Sequence, residues 1–174
     1  MLEFIVYNKL TDEYMNQVWE LLKKIDKEFI PPLSARKSTH QKELNTPNTQ
    51  GEEPVEYFNQ MKEQKIIIAL EQDTVRGFLT YISDYELEIG NRKTISEYVS
   101  TIGVDPVFRK QGIAQSLYKE LIENSPGKRI TTRTWSLNKS HLHILESMGF
   151  ELLDTIKNDR GRGIDTVYYT RRIK

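Results

Sequence analysis

The sequence predicts an α/β fold of the α+β type, with a central, mixed but mostly antiparallel sheet flanked by helices. Strand-like and helix-like segments alternate along most of the chain, which is typical of a sheet covered by helices. The last two strand-like segments, 150–156 and 165–171, follow one another across a glycine-containing turn, which indicates an antiparallel pair. A strand also runs directly into a helix at 94–123, as in a parallel crossover unit. The sheet is therefore predicted to be mixed.

Composition limits the classes of protein to which the chain can belong. Its 174 residues suit a single domain spanning 1–174, and 25 basic residues balance 25 acidic ones. Zero net charge argues against a nucleic-acid partner, and the absence of cysteine excludes disulfides and thiolate chemistry. No apolar run approaches the roughly 20 residues of a membrane span, and the N-terminus lacks the features of a signal peptide. We expect a cytoplasmic protein without a membrane partner.

The N-terminal half begins with a predicted strand at 2–7. A helix follows from Thr11, with its apolar residues at helical spacing, and is predicted to stop before Pro31. The polar segment 33–54 is predicted to be a loop, with or without a helical turn, in a place suited to substrate contact. Next come a helix at 56–64, whose buried face is predicted to use Val55, Phe58 and Met61, and strands at 65–70, 75–82 and 94–104.

The C-terminal half continues the alternation. The predicted elements are a helix at 111–123, a strand at 129–135, a helix at 137–148 and the strand pair already named. Gly149 is predicted to end the last helix in a left-handed conformation. Trp135 is interpreted as a core residue, and Arg160–Gly163 as a hairpin turn.

The junction between the strand 94–104 and the following helix indicates an anion-binding site. Arg109-Lys110-Gln111-Gly112-Ile113-Ala114 places two cations and a glycine where the helix begins. A helix start exposes backbone N–H groups without partners, and its dipole is positive. Small residues let a ligand approach those donors, which suits a phosphate or pyrophosphate. The spacing matches neither a P-loop nor a dinucleotide-binding fingerprint.

This arrangement resembles the acetyl-CoA-binding motif of the GNAT N-acetyltransferases, commonly Arg/Gln-x-x-Gly-x-Gly/Ala. The matching residues are Arg109, Gly112 and Ala114. The order of elements is also similar to the whole GNAT fold. A further family feature, an asparagine opening the next helix and a Gly-Phe pair closing it, appears as Asn138 and Gly149-Phe150. The resemblance implies a GNAT-like acyl-CoA N-acyltransferase fold and acetyl-CoA as co-substrate.

The resemblance also implies which residues hold the cofactor. The backbone of the strand just before the loop commonly binds the pantetheine chain, and the asparagine contacts it. Gly103 in mid-strand fits a close backbone approach. The implied cofactor residues are Ile102, Gly103, Val104, Arg109, Lys110, Gln111, Gly112, Ile113, Ala114 and Asn138.

The expected reaction transfers an acetyl group to a primary amine by direct attack in a ternary complex, because a thioester is already activated and orientation meets much of the barrier. A backbone N–H near Val104 is implied as the oxyanion donor. We expect no metal, since His141 and His143 lie two residues apart and face different sides of a helix. The acceptor stays open between a small amine, an amino acid, an aminoglycoside, and a peptide N-terminus or lysine. The resemblance also suggests a homodimer, because members of the family often dimerise.

Candidate catalytic residues follow from the resemblance and from the period of a strand. Family bases often lie near the start of the strand 94–104, which points to Glu97 or Tyr98. Counting in twos places Tyr98, Ser100, Ile102 and Val104 on one face, and Glu97, Val99 and Thr101 on the other. Tyr168 and Tyr169 are further candidates, as proton donor or substrate wall.

One residue departs from the family pattern. Many members place a tyrosine, which protonates the leaving thiolate, four residues before the Gly-Phe pair, and this chain has Leu145 there. Two alternatives therefore stay open at this point. One is a catalytically silent acyl-CoA-binding regulator, and the other is a protein-interaction domain that uses the fold as a scaffold.

Overall fold

A computed structural model describes residues 1–44 and 52–174. Their strands form one seven-stranded sheet in the order β1-β2-β3-β4-β5-β7-β6. Every neighbouring pair is antiparallel except β4 and β5, which run parallel. The strands are β1 (Glu3–Tyr7), β2 (Lys65–Glu71), β3 (Thr74–Ile89), β4 (Arg92–Val104), β5 (Arg129–Trp135), β6 (Glu151–Ile156) and β7 (Thr166–Arg172). The mixed, mostly antiparallel sheet is as predicted.

The helices cover both faces of this sheet. They are α1 (Asp12–Ile25), α2 (Val55–Met61), α3 (Ile113–Glu123) and α4 (Lys139–Ser147). Helices α1 and α2 pack their apolar residues on one face, and α3 and α4 pack theirs on the other. None of the helices in the described residues has the length and apolar character that crossing a bilayer requires.

Two hydrophobic clusters hold these layers together. The first joins Val18, Leu22 and Ile25 of α1 to Phe78 of β3, and the second joins Leu117 of α3 to strands at the centre of the sheet. Burial of a large apolar side chain stabilises a fold by about 1.5–3 kcal/mol. The two clusters therefore fix the positions of the strands between them and of the residues that those strands carry.

The parallel pair β4–β5 is short, and this creates a gap in the sheet. Only Glu97–Val99 of β4 pair with Ile130–Thr132 of β5. Beyond Val99, β4 continues to Val104 while its other edge stays paired with β3. The edge of β4 that faces β5 is left outside the ladder from Ser100 onward, and backbone N–H and C=O groups there need other partners.

A β-bulge at Ser100 makes the faces of β4 differ from those predicted by counting residues in twos. Val99 pairs with Tyr81 and Thr101 pairs with Thr80, so Ser100 is an extra residue opposite no partner. Ile102 and Val104 consequently pack against the second cluster together with Val99. Thr101 turns to the first face, where its hydroxyl lies 2.7 Å from the Tyr57 hydroxyl.

Several element boundaries also differ from those expected. Strand β3 runs on to Ile89 because the polar pair Ser83-Asp84 forms a second irregularity, with Asp84 at φ 50°, rather than the end of the strand. In α2 the buried face uses Tyr57 with Phe58 and Met61, while Val55 is exposed. The expected loop 33–54 contains a 3₁₀ turn at Leu33–Ala35, and its part 45–51 lies outside the described residues.

Candidate active site

A cavity of about 890 Å³ opens where β4 and β5 separate. It is lined by β4 from Val99 to Val104, by the start of α3, by the end of β5 and the start of α4, and by the segment after α1. Most of the residues expected to hold a cofactor line this one cavity: Ile102, Gly103, Val104, Arg109, Lys110, Gly112, Ile113, Ala114 and Asn138. Exposed Gln111 is not among the lining residues.

The open edge of β4 gives the cavity a row of backbone hydrogen-bonding groups. Residues 100–104 line the cavity, and the pairing of β5 with β4 ends at Thr132, opposite Val99. An extended molecule with amide groups can add to such an edge as a strand would. The amides of a pantetheine chain have this character, so the edge is suited to that part of CoA.

The start of α3 supplies the anion-binding end, which we call the α3 wall (Arg109, Lys110 and 112–115). Lys110 has φ 64° and Gly112 has φ 79°, so the loop turns sharply before the helix. The first hydrogen bond of the helix runs from the Ser116 N–H to the Gly112 carbonyl oxygen. The N–H groups before Ser116 have no partner within the helix and can donate to a phosphate.

Arg109 connects the α3 wall to the segment after α1. Its Nη1 lies 2.6 Å from Oε1 of Glu28, and its Nε donates to the Val104 carbonyl oxygen at 3.3 Å. Both side chains of the ion pair are more than two-fifths exposed. An exposed pair is worth little energetically, so Arg109 is free to exchange Glu28 for a ligand phosphate.

Packing, rather than the expected approach of a ligand, explains why residue 103 is a glycine. A Cβ atom on Gly103 would lie 2.5 Å from Cδ1 of Ile25 and 3.3 Å from the ring of Phe78. The missing side chain therefore makes room for α1 against the sheet. The backbone of Gly103 still lines the cavity, but its lack of a Cβ is explained by packing on the first face.

Helix α4 contributes Asn138 and His141 to the cavity. Asn138 Nδ2 donates to Thr134 Oγ1 at 3.1 Å, which fixes the amide beside the end of β5. His141 Nε2 lies 2.7 Å from the hydroxyl of buried Tyr118, and burial lowers the pKa of His141 to about 4. His141 is thus a neutral group at physiological pH. Leu145, one turn further on, is fully buried in the second cluster.

The expected catalytic residues Glu97, Tyr98 and Tyr168 do not line the cavity. Glu97 is 5% exposed, and its carboxylate accepts hydrogen bonds from Ser83 Oγ at 2.7 Å and the Asp84 N–H at 3.2 Å. These bonds hold it beside β3. A direct proton transfer from a substrate amine to Glu97 has no path in this arrangement.

The tyrosine candidates are also enclosed. Tyr98 stacks on Tyr85 with ring centroids 4.9 Å apart, and burial raises its pKa. Tyr168 is 3% exposed, whereas the Tyr169 hydroxyl donates to Glu146 at 3.1 Å on the face of the second cluster. A catalytic role for Glu97 or for these tyrosines stays a prediction. Because their side chains do not line the cavity, each would have to act through another group.

The cavity is also lined by a second group of charged residues, which the sequence did not indicate. We call it the arginine wall: Arg36, Arg133 and Arg160, accompanied by the rings of Phe29 and Trp135. Phe29 and Trp135 pack with ring centroids 5.9 Å apart, and Arg160 lies 5.7 Å from the Trp135 ring. The turn at 160–163 was expected, but no local pattern indicates that its arginine reaches β5.

Comparison with known proteins was made for both the sequence and the fold. A family model described as the acetyltransferase (GNAT) family matches residues 35–150. No curated protein sequence matches the chain. Among solved structures, an acetyltransferase of the GNAT family from Bacillus cereus ATCC 10987 is 19% identical with a TM-score of 0.64, covering 100% of this chain and 99% of its own.

Two further structures share the fold. NAA60 of Arabidopsis thaliana, solved with a bisubstrate analogue, is 17% identical with a TM-score of 0.70 and covers 100% of this chain and 99% of its own. YncA of Salmonella typhimurium, described as a putative acetyltransferase with its cofactor acetyl-CoA, is 13% identical with a TM-score of 0.64 and covers 98% of this chain and 94% of its own. At these identities the likeness concerns the fold.

Proposed function

Because the chain belongs to the GNAT acetyltransferase family, we propose that it transfers the acetyl group of acetyl-CoA to a primary amine by direct attack in a ternary complex. One observation carries the proposal. The open edge of β4 leads directly into the unpartnered N–H groups of α3 within a single cavity. That edge is placed to hold the pantetheine amides, and the start of α3 to hold the pyrophosphate.

The reaction needs no covalent intermediate on the protein. The amine nitrogen attacks the thioester carbonyl carbon, the C–S bond breaks, and CoA leaves as the thiol or thiolate. The amine must first lose a proton, since an alkyl ammonium has a pKa of about 10.4. Water in the open cavity can take that proton. Among described residues lining the cavity, Glu28 supplies the carboxylate that can assist.

The leucine at position 145 is compatible with turnover. A thiol with a pKa of about 8.5 leaves as a thiolate far more readily than an alcohol would leave as an alkoxide. A dedicated acid accelerates this departure but is not essential to it. The buried position of Leu145 in the second cluster also means that its side chain contributes packing rather than chemistry.

We further propose a cytoplasmic protein that needs no metal and acts on a small amine or on a peptide N-terminus or lysine. A protein or peptide acceptor is suggested by analogy with a structure of the same fold, the ribosomal-protein-S18-alanine N-acetyltransferase from Escherichia coli, which is 14% identical with a TM-score of 0.60. The cavity crosses the sheet through the β4–β5 gap, so donor and acceptor could enter from different faces.

Calorimetric titration of acetyl-CoA into the wild type, Gly112→Asp and Gly112→Asn tests the cofactor site. Asparagine is a matched control, because it tolerates a positive φ and has the size of aspartate without its charge. We expect Gly112→Asp to weaken binding by roughly 100-fold and Gly112→Asn far less. No binding to the folded wild type would reject the proposal.

Release of free thiol in the presence of amines then separates an enzyme from a silent regulator. Thiol release that depends on both acetyl-CoA and an amine supports the proposed reaction. Tight acetyl-CoA binding, with no release for any amine in a broad panel, would favour the silent acyl-CoA-binding alternative instead.

A further inference from the structure

The arginine wall brings three guanidinium groups to one cavity. Arg36 and Arg160 are 6% and 7% exposed, and Arg133 is half-buried. Among the described residues, no carboxylate lies within 4 Å of any of the three guanidinium groups. The segment 45–51 contains no acidic residue. Buried charges are normally paired, so this arrangement needs an explanation.

Two of the arginines are held in place by backbone carbonyl oxygens. Arg36 donates through Nε and Nη2 to the Pro31 oxygen at 3.1 and 2.9 Å. Arg160 donates through Nη1 to the Ile30 oxygen at 2.9 Å and through Nε to Thr166 Oγ1 at 2.9 Å. These bonds tie the segment after α1 to the turn before β7. They orient the guanidinium groups without pairing either of them directly with a carboxylate.

Arg133 is held differently. It lies on β5 near Tyr98 and hydrogen-bonds the Tyr168 side chain, while its Nη2 atom is buried without a hydrogen-bond partner. An unsatisfied buried donor on a charged group costs more free energy than a neutral one. Arg133 is only half-buried and lines the cavity, so the exposed part of its guanidinium group and its charge can act on a ligand there.

Electrostatics points to a negatively charged ligand. Burial lowers the pKa of Arg36 to about 10 and that of Arg160 to about 9, and charge repulsion from Arg133 acts in the same direction on both. All three remain protonated at neutral pH. Asp26 opposes this pKa shift for Arg36 and Asp159 opposes it for Arg160, but both act as smaller causes than burial, and neither forms an ion pair with the wall. Asp26 accepts the Ser34 N–H at 2.7 Å, and Asp159 accepts the Thr166 hydroxyl at 2.6 Å.

We propose that the arginine wall binds an oxyanion of the acceptor, a carboxylate or a phosphate, so that the substrate is an amine that carries its own negative charge. This inference rests on the proposed function, because the same cavity holds the cofactor. An arginine fork matches either oxyanion geometrically. Cationic acceptors such as polyamines and aminoglycosides are disfavoured, because they would place positive charge beside three guanidinium groups.

Calorimetric titration of the complex with CoA tests this without turnover, since CoA lacks the acetyl group. Two matched pairs serve as probes: L-leucine with L-leucinamide, and O-phosphoethanolamine with ethanolamine. We expect the member that carries the carboxylate or phosphate, in at least one pair, to bind roughly 10-fold or more tightly than the match that lacks it. A preference within the first pair indicates a carboxylate acceptor, and one within the second indicates a phosphate.

Variants of Arg133 connect the preference to the wall. Arg133→Met is expected to abolish it, and Arg133→Lys to retain part of it, because lysine keeps the charge but loses the planar fork. Arg172→Met, at an exposed position in the last residue of β7, is the control for loss of one arginine and is expected to keep the full preference. Circular dichroism of each variant confirms folding.

The outcomes separate this inference from the function on which it rests. If CoA does not bind, the proposed function fails. If CoA binds but neither oxyanion-bearing probe binds more tightly than its match, or the preference survives in folded Arg133→Met, the arginine wall does not select the acceptor and the inference is overturned. A carboxylate or phosphate preference that is lost in Arg133→Met and kept in Arg172→Met supports it.

Discussion

The α3 wall and the arginine wall both present positive charge to one cavity, but they do so in opposite ways. The α3 wall uses backbone N–H groups and exposed cations, and Arg109 there already has an ion-pair partner in Glu28. The arginine wall uses two buried guanidinium groups and one half-buried one, none of them in an ion pair with a carboxylate among the described residues. Salt screens the first kind of charge much more than the second.

The two walls can therefore contribute to specificity in different ways. Exposed cations and helix N–H groups can bind a flexible polyanion with little cost to the empty protein. Buried, unpaired guanidinium groups destabilise the empty protein and are relieved by a ligand that supplies the missing charge. The first arrangement suits a cofactor shared by many enzymes, and the second suits a selected acceptor.

The largest expected effect is on stability, from replacing one arginine on each wall by methionine. Arg133→Met should raise the free energy of unfolding by about 2 kcal/mol, because it removes a charged side chain whose Nη2 atom is buried without a hydrogen-bond partner, and methionine keeps most of the side-chain length. Arg109→Met should change it by less than about 0.5 kcal/mol, because that pair is exposed. Urea unfolding at pH 7 measures both. Destabilisation by Arg133→Met would show that its charge is compensated in the empty protein.

The next effect concerns the titratable group on the α4 side of the cavity. The folded pKa of His141, about 4, lies below its unfolded value of 6.5. The unfolded state therefore binds more protons, and the stability from the neutral imidazole is full above pH 6.5 and is lost as pH falls toward 4. Between pH 8 and 5 this amounts to about 2 kcal/mol.

Comparison with His141→Gln isolates that contribution. Urea unfolding of both proteins without ligand at pH 8 and pH 5 should show the wild type losing about 2 kcal/mol more than the variant. Equal losses would mean that His141 gains a proton in the folded protein as easily as in the unfolded one. The side of the cavity near α4 would then also carry buried positive charge at pH 5.

The two walls also differ in how far sequence could predict them. Arg109, Gly112 and Ala114 lie within six residues of one another at a helix start, so their chemistry is visible locally. Arg36, Arg133 and Arg160 come from a loop, a strand and a turn, and only tertiary packing brings them together. The bulge at Ser100 was not predicted for the same reason, since it depends on the register of β4 with β3.

A third prediction tests whether Gly103 serves packing or ligand approach. Gly103→Ala should destabilise the protein by about 1 kcal/mol, because its Cβ would crowd Cδ1 of Ile25. In an Ile25→Val background, which lacks that atom, the cost of Gly103→Ala should fall by at least half. The double-mutant cycle is read from urea unfolding, and acetyl-CoA affinity is measured alongside. Unchanged stability with lost affinity would restore the ligand explanation.

The smallest expected effect lies at the exposed ion pair that joins the α3 wall to the segment after α1. Glu28→Gln leaves Arg109 without its partner at 2.6 Å, so Arg109 no longer has to exchange a carboxylate for a phosphate. Acetyl-CoA should bind about two- to threefold more tightly, in keeping with the small energy of an exposed pair. Calorimetry at low and high salt measures this, and the gain should shrink at high salt. If turnover falls sharply while affinity rises, Glu28 assists deprotonation of the amine, and if both are unchanged, Arg109 does not contact the phosphates.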